Sequence, residues 1–255
     1  MRQRGLLAGI ILGVFVLAGF AQARESVFSR EEPKIERRYG IQLTGGFSTY
    51  AMNDLNDFRA GVDHINAGNS EEAQSGGAWG IAAVYRSHKN FRWTIGYSNL
   101  GEDQTYSTWI NSVDGQTGIN QQSVSGSEFY VMGSYMIRFG EALHLHLGAG
   151  PMIISGSLDR YSTAANSVYA AKGRALGLRA AGGLEFLFSR NIGLHVAAGY
   201  RMANVSEVRY EDTDKNEEVL YNGSSNRTME LDFSGIFLEG GLRLYFDPDT
   251  GWFKM

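Results

Sequence analysis

The feature that most restricts the fold of this sequence is an alternation of apolar and polar residues that recurs in eight segments. Alternation over runs of this length predicts β-strands with one apolar and one polar face. The segments are Tyr39–Tyr50, Ala78–Arg86, Phe91–Leu100, Glu128–Phe139, Leu143–Ser155, Arg174–Phe188, Ile192–Val205 and Met229–Phe246. In the last segment the apolar positions change phase between Phe233 and Ile236, and we expect a bulge near Ser234 there. The bulge would keep Leu231 and Phe233 on the same apolar face as Ile236.

The connections between these segments alternate strictly between short and long. The short ones are Ser87–Asn90, Gly140–Ala142 and Ser189–Asn191, and the long ones are Ala51–Gly77, Gly101–Ser127, Gly156–Gly173 and Ser206–Thr228. An up-and-down meander places all connections of one kind at the same end of the sheet. The short connections therefore define a turn end and the long ones a loop end, an asymmetry that is typical of outer-membrane barrels.

Charged residues indicate which face of the strands meets lipid. All five lysines lie outside the eight segments, and arginines within them, such as Arg92, Arg201 and Arg243, occupy the face opposite the apolar one. One arginine on the lipid-facing surface near the membrane midplane costs about 2–4 kcal/mol. We therefore predict an all-β fold, an eight-stranded antiparallel up-and-down transmembrane β-barrel with short periplasmic turns and four long extracellular loops. A soluble secreted lipocalin-like binding barrel, which would hide its apolar face from water, is the alternative.

The first 38 residues precede the alternating region. Arg2 and Arg4 stand before the apolar run Gly5–Phe20, and the small-residue sequence Ala21–Ala23 follows it. This order predicts a secretory signal peptide at residues 1–23, cleaved after Ala23, with an uncleaved anchor helix as the alternative. The remaining regions are predicted as a periplasmic tail at residues 24–38, the barrel at residues 39–246 and a second periplasmic tail at residues 247–255.

An eight-stranded barrel has an interior just wide enough for side chains to fill. The polar face supplies a predicted lumen polar network, whose members are Arg86, Arg92, Arg138, His144, Arg179, Glu185, His195, Arg201, Glu239 and Arg243. We expect a structural plug in which Glu185 and Glu239 pair with the nearest arginines, while the other members reach periplasmic water by snorkelling. The other interpretation is a docking site for acidic residues of the two tails, which are Glu31, Glu32, Glu36, Asp247 and Asp249.

Little in the sequence points to a metal, a cofactor or catalysis. His144, His146 and His195 lie on inward faces and imidazoles are good zinc and copper ligands, but no carboxylate cluster with ligand spacing accompanies them. We predict hydrogen-bonded histidines, no metal and no cofactor. No set of serine, histidine and acid is placed at the loop end, which predicts that the protein is not an enzyme. A formal net charge of -4 predicts no nucleic-acid partner.

The end of the last segment carries a short recognition pattern. Its residues run in the order polar, glycine, apolar, apolar, aromatic, and they are Glu239, Gly241, Leu242, Leu244 and Phe246. This order resembles the signal by which outer-membrane barrels are recognised for assembly, although that signal usually ends the chain and here residues 247–255 follow. Over residues 39–246 the chain resembles the small eight-stranded outer-membrane barrel family, which includes OmpA-type transmembrane domains and opacity-like porin-family proteins.

The resemblance implies a location in the outer membrane of a Gram-negative-type bacterium. The partners that it implies are outer-membrane lipid, lipopolysaccharide and the barrel assembly machinery. We expect a monomeric, non-enzymatic protein that serves envelope integrity or surface interaction through its external loops. The alternative function is a narrow channel or a lateral-route transporter for small molecules, including apolar ones, lined near its outer mouth by Met132, Met152 and Ile154.

Overall fold

The computed structural model describes residues 39–57, 74–110, 117–140, 142–162, 167–189, 191–210, 221–222 and 227–246. The chain divides into two compact units, Met1–Ile35 and Glu36–Met255, and every described residue belongs to the second. The predicted signal peptide and both predicted tails lie outside the described residues. Among the described residues, no helix is long and apolar enough to cross a membrane.

The strands and their pairing confirm the predicted barrel. In chain order they are β1 (Tyr39–Thr49), β2 (Ser75–His88), β3 (Phe91–Ile110), β4 (Thr117–Phe139), β5 (Leu143–Ser162), β6 (Ser167–Leu187), β7 (Ile192–Met202), β8 (Asn204–Val205), β9 (Arg209–Tyr210), β10 (Tyr221–Asn222), β11 (Arg227–Thr228), β12 (Leu231–Asp232) and β13 (Gly235–Phe246). Strands β1 to β7 and β13 form the barrel. Each is antiparallel to its neighbours, and β13 pairs with both β7 and β1, which closes the ring.

The five short strands lie between β7 and β13. Strand β9 pairs with β6, β12 pairs with β8, and β10 pairs with β11. The first long connection contributes a helical turn at residues 53–57. Strand β1 begins and β13 ends at the turn end, where Tyr39 is paired with Tyr85 and Phe246. The first and last long connections therefore lie at the opposite end of the barrel, the loop end.

Strands β3 to β6 are longer than the sequence predicts. The predicted long connections Gly101–Ser127 and Gly156–Gly173 are mostly strand, so the residues between the strands are only 111–116 and 163–166. These extensions were not visible as strands because polar residues occupy most of their positions, and a strand beyond the lipid needs no apolar face. The backbone ladder continues through them, with Glu102 opposite Ser125 and Ile110 opposite Thr117.

A bulge separates the extension of β3 from β2. Pairing with β2 ends at Asn99, and the register with β4 shifts between Asn99 and Glu102. Gly101 adopts a φ of 73°, which favours glycine, and its N–H donates to the Asn99 side-chain oxygen at 2.9 Å. A Cβ at Gly101 would also collide with the Gly77 carbonyl oxygen. The bulge therefore lets β3 leave β2 while it stays paired with β4.

The outer surface of the barrel carries a continuous apolar belt. Large apolar side chains such as Ile95, Leu184, Val196 and Leu242 are exposed on every barrel strand. On β6 the belt runs from Leu176, which is 81% exposed, to Phe186. Ten residue steps at about 3.3 Å, tilted by about 40°, give a height of ~25 Å, which matches the apolar band of membrane barrels. The outward apolar face and this height confirm the transmembrane type of barrel.

The loop-end half of the barrel interior is filled by apolar side chains. Its buried members are Met52, Leu55, Leu100, Val124, Tyr130, Met132, Met152, Ile154, Leu158, Ala171, Ala181, Ala203, Val205, Val208, Met229, Leu231, Phe233 and Phe237. The prediction that Leu231 and Phe233 lie on the lipid-facing side is wrong. The chain breaks after β12, so these two side chains point inward while Ile236 and Leu238 point to the belt.

Candidate functional site

The turn-end half of the interior contains a buried ionic cluster around one carboxylate, which we call the turn-end cluster. Glu185 on β6 accepts from Arg92 of β3 at 3.2 Å and forms an ion pair with Arg243 of β13, with 2.9 Å between Nη1 and Oε1. The Tyr245 hydroxyl also donates to Glu185, and His144 Nδ1 lies 3.7 Å from its Oε2. Five side chains from four strands are thus tied together across the lumen.

Neighbouring side chains complete this cluster. Arg243 donates from Nε to the Gln42 side-chain oxygen at 3.1 Å, and Gln42 is its register partner on β1. Arg86 is buried with its guanidinium carbon 5.7 Å from the centre of the Tyr245 ring and its Nη2 3.9 Å from the sulfur of Met136. Arg86 therefore has polarisable partners rather than a carboxylate in these contacts.

A second ionic group, the mid-barrel cluster, lies closer to the loop end. Arg179 of β6 donates to Glu128 of β4 and, at 2.6 Å, to Glu239 of β13. Arg201 of β7 donates to Glu128 at 3.2 Å and to the backbone oxygen of Phe233 at 2.9 Å. Glu128 bridges the two guanidinium groups. With Glu239, the cluster contains two positive and two negative charges, so its charge is balanced.

Aromatic rings cover the guanidinium groups of the mid-barrel cluster. The guanidinium carbon of Arg179 lies 3.9 Å from the centre of the Phe237 ring and 4.5 Å from that of Tyr130. The same atom of Arg201 lies 5.7 Å from the centre of the Tyr50 ring. Such cation–π contacts add stabilisation in a desolvated interior, and they join the ionic layer to the apolar layer above it.

A cavity lies between the mid-barrel cluster and the wall made by β1 and β2. It is small and partly open to solvent. Small residues such as Gly46, Ala78 and Ser98 line it on one side, and Glu128 and Arg201 line it on the other. The space exists because the inward positions of this wall carry almost no side-chain volume.

The structure places nearly all members of the predicted lumen polar network in one of these two clusters or beside them. Glu185 and Glu239 both contact arginines. Arg138 lies outside both clusters: its side chain is exposed at the turn end and donates to the backbone oxygen of Lys89 at 2.5 Å. It occupies the last inward position of β4, where the side chain reaches past the rim.

Among the described residues, His146 and His195 lack hydrogen bonds that the sequence predicts, whereas His144 faces Glu185. The rings of His146 and His195 stack with their centres 5.0 Å apart. Both ring nitrogens of His146 and Nδ1 of His195 are buried without a hydrogen-bond partner in the described part of the chain. Within that same part, no three His, Asp or Glu side chains are arranged to hold a metal ion.

Three members of the clusters are not among the predicted lumen polar network. Glu128 alternates onto the inward face of β4, and its role as the bridge in the mid-barrel cluster follows only from the register. Gln42 and Tyr245 are inward residues of β1 and β13 that bond to Arg243 and Glu185. The sequence does place these residues at polar-face positions of the alternating pattern, as it places Tyr245 two residues after Arg243.

The residues of the predicted assembly signal lie on β13, where the barrel closes against β1. Leu242 and Leu244 point outward into the belt, and Glu239 points inward to Arg179. A Cβ at Gly241 would collide with the backbone oxygen of Leu43 on β1. The glycine of the pattern is therefore required for close approach of the two strands that seal the ring.

Comparison with known proteins finds similar solved structures but no similar sequences. No protein-family model matches the chain, and no curated protein matches it. Neisserial surface protein A is 14% identical, with a TM-score of 0.42, and the match covers 82% of this chain and 97% of that one. The outer membrane protein OprG from Pseudomonas aeruginosa is 10% identical, with a TM-score of 0.46 and coverage of 83% and 97%. The outer membrane protease OmpT from Escherichia coli is 10% identical, with a TM-score of 0.41 and coverage of 86% and 99%. The likeness concerns the fold alone.

Proposed function

We propose that this protein is a non-enzymatic outer-membrane barrel whose loop end mediates surface interactions of the cell. The observation that carries the proposal is the length of β3 to β6, which have 20 to 23 residues against 11 to 14 in the other barrel strands. Spanning a bilayer takes about 9–11 strand residues. The extra residues are not needed to span the membrane. They form a four-stranded sheet beyond it, made of residues 102–110, 117–125, 156–162 and 167–175, which we call the projecting sheet.

Packing supports the view that the projecting sheet is a rigid platform. Its inward face carries Val124, Leu158 and Ala171, which are buried in one apolar cluster with Val205 of β8 and Leu231 of β12. Its outward face is polar, with exposed Asp159, Lys172 and Arg174 next to the belt. A sheet that is covered on one side and polar on the other presents a fixed, water-compatible surface to a partner.

The cellular setting of the proposal follows from the barrel. We propose that the loop end faces the outside of a Gram-negative-type cell and that the turn end faces the periplasm, after a signal peptide has been cleaved following Ala23. Outer-membrane lipid and lipopolysaccharide surround the belt, and the barrel assembly machinery inserts a monomer. The absence of enzymatic activity stays a prediction.

The experiment that tests the proposal removes residues 103–124, the parts of β3 and β4 that belong to the projecting sheet. Glu102 and Ser125 are register partners, so deleting residues 103–124 and joining them through an Asn-Gly turn shortens β3 and β4 at matched positions. Adhesion of cells to matrix-coated surfaces and to each other is measured for the full chain and for the shortened variant. Heat-modifiable mobility on gels shows that the barrel still folds.

The matched control is Arg138→Gln, which changes an exposed charge at the opposite end of the barrel. We expect the shortened variant to lose adhesion and the control to keep it. Equal adhesion of the full chain and the shortened variant would contradict the proposal.

Planar-bilayer recordings test the alternative of a narrow channel. The two ionic clusters and the apolar layer fill the interior over most of its length, including Met132, Met152 and Ile154, which are buried in the apolar layer. We propose that the lumen does not conduct, and stable single-channel steps from the purified protein would favour the channel instead.

A further inference from the structure

We propose that Arg92, Thr94, Ser134 and His146 form a cradle for one small inorganic anion, such as chloride, inside the barrel. This site is separate from the projecting sheet and does not depend on the proposed function. We call these four residues the anion cradle.

The cradle residues are neighbours on the inner wall of three adjacent strands. Arg92 on β3 is the register partner of Ser134 on β4, and Ser134 is the register partner of Gly148 on β5. Thr94 is the next inward position toward the loop end on β3, and His146 is the next one toward the turn end on β5, so each lies diagonally to Ser134. Paired and diagonal side chains are within reach of one another, so Arg92, Thr94 and His146 can surround a ligand at the Ser134 hydroxyl. All four residues are at most 2% exposed.

The polar atoms of the cradle lack partners in the described part of the protein. Arg92 uses Nη1 for Glu185, whereas its Nε and Nη2 have no hydrogen-bond partner. Those two groups form one edge of the guanidinium, the edge that grips an anion through two parallel hydrogen bonds. The hydroxyls of Thr94 and Ser134 and both ring nitrogens of His146 are also buried without a partner. Buried donors without an acceptor are rare in folded proteins, and here they occur together.

Charge around the cradle favours an anion over a metal ion. The turn-end cluster holds the guanidinium groups of Arg86, Arg92 and Arg243 against the single carboxylate of Glu185, an excess of two positive charges. The two carboxylates of the mid-barrel cluster are already balanced by their own arginines. An uncompensated buried charge is costly, and a bound anion would offset it.

The side chains that face the anion cradle from neighbouring strands also favour an anion. The imidazoles of His144 and His195 can donate to an anion, and Glu185 is the only carboxylate among the described buried residues at this level. Both of its oxygens are already in contact with other side chains, through Arg243 and Tyr245 on one and Arg92 and His144 on the other. Neither oxygen of Glu185 is therefore a partner of the unpartnered edge of Arg92.

Glycines opposite the donors limit the size of the ligand. A Cβ at Gly148 would collide with the Ser134 hydroxyl, and a Cβ at Gly183 would lie 2.7 Å from Nε2 of His146. Because no methyl group can be added at these points, the backbone lies directly against the Ser134 hydroxyl and Nε2 of His146, and any ligand held there is small.

The test compares chloride with gluconate at constant ionic strength, because gluconate is too large for the cradle. The full chain is folded in detergent micelles and in vesicles, and its unfolding in urea is measured over a range of chloride concentrations. A ligand that binds only the folded state lowers the unfolding constant by the factor one plus the ratio of chloride concentration to Kd. We expect a ten-fold fall for each ten-fold rise in chloride above Kd. No dependence on chloride in the unmodified protein would overturn the proposal.

Three substitutions assign the effect to the cradle. Ser134→Ala and Thr94→Val each remove one donor, and we expect each to weaken the chloride dependence at least ten-fold. Ser98→Ala is the matched control, because Ser98 is a buried inward hydroxyl of β3 that lines the cavity near Glu128 instead. Equal loss of chloride dependence in the control, or full retention in the two cradle variants, would overturn the assignment.

A direct measurement does not depend on the variants folding. Crystals of the unmodified protein grown in bromide should show an anomalous peak between Arg92 and Ser134. Bromide peaks confined to the outer surface would mean an adventitious ion only and would overturn the proposal.

Discussion

Replacing Glu185 by glutamine tests whether the turn-end cluster holds the barrel together. Glutamine keeps the volume of the side chain and an acceptor for the Tyr245 hydroxyl, so the change removes charge without opening a cavity. Arg92 and Arg243 are then buried without their carboxylate, at positions where each is 1% exposed. Breaking a buried ion pair from one side costs about 3–5 kcal/mol, because the remaining charge stays desolvated.

The assay is urea unfolding in lipid vesicles followed by tryptophan fluorescence. With a slope of about 2 kcal/mol per molar urea, a loss of about 4 kcal/mol lowers the midpoint by ~2 M. The control is Glu207→Gln, because Glu207 pairs with Arg209 at 3.1 Å while both side chains are more than half exposed. A pair of that kind contributes about 0–1 kcal/mol.

A midpoint for the Glu185→Gln variant that matches the Glu207→Gln variant would refute the reasoning. It would mean that water reaches Arg92 and Arg243 in the folded barrel. Combining Glu185→Gln with Arg243→Gln gives a further check, since the double change should cost less than the sum of the single ones when the two groups interact directly.

Three further changes probe the belt, the apolar layer and the bulge. Val196→Arg, at the middle of the belt on β7, should destabilise the barrel by about 2–4 kcal/mol, whereas Leu176→Arg at the loop-end boundary should cost about 0–1 kcal/mol; equal costs in vesicle unfolding would argue against the assigned depths. Phe233→Ala should cost about 3–5 kcal/mol because the ring is buried, and a cost below 1 kcal/mol would place it on the surface. Gly101→Val should cost at least about 1–3 kcal/mol and reduce order in the β3 extension seen by hydrogen exchange, and unchanged exchange there would count against the bulge.

The barrel could be predicted from the sequence because the alternation of apolar and polar residues shows which face of a strand each side chain occupies. Apolar residues at every second position identify the lipid face, and the alternation of short and long connections identifies the meander. The projecting sheet could not be predicted in this way, since its residues face water or the last connection and need no apolar alternation. Leu231 was misplaced for a related reason: a phase change in the pattern does not distinguish a bulge from a break in the strand.

The ionic clusters were predictable as a set but not in their pairing. Parity placed Glu185, Glu239 and the arginines inside. The choice of partners depends on the level of each residue across the barrel, which is fixed by the stagger of all eight strands. Glu128 shows this, because it contacts Arg201 from a strand on the other side of the lumen, and nothing local in the sequence joins the two.

The orientation of the strands is tested most directly by cysteine scanning of β3. The sequence contains no cysteine, so single cysteines can be placed at residues 92–97 without background. The protein is reconstituted in vesicles and treated with a lipid-dissolved maleimide. The structure predicts labelling at Trp93, Ile95 and Tyr97 and protection at Arg92, Thr94 and Gly96. Labelling of the even positions, or of both sets equally, would contradict an apolar face turned to lipid and a charged interior.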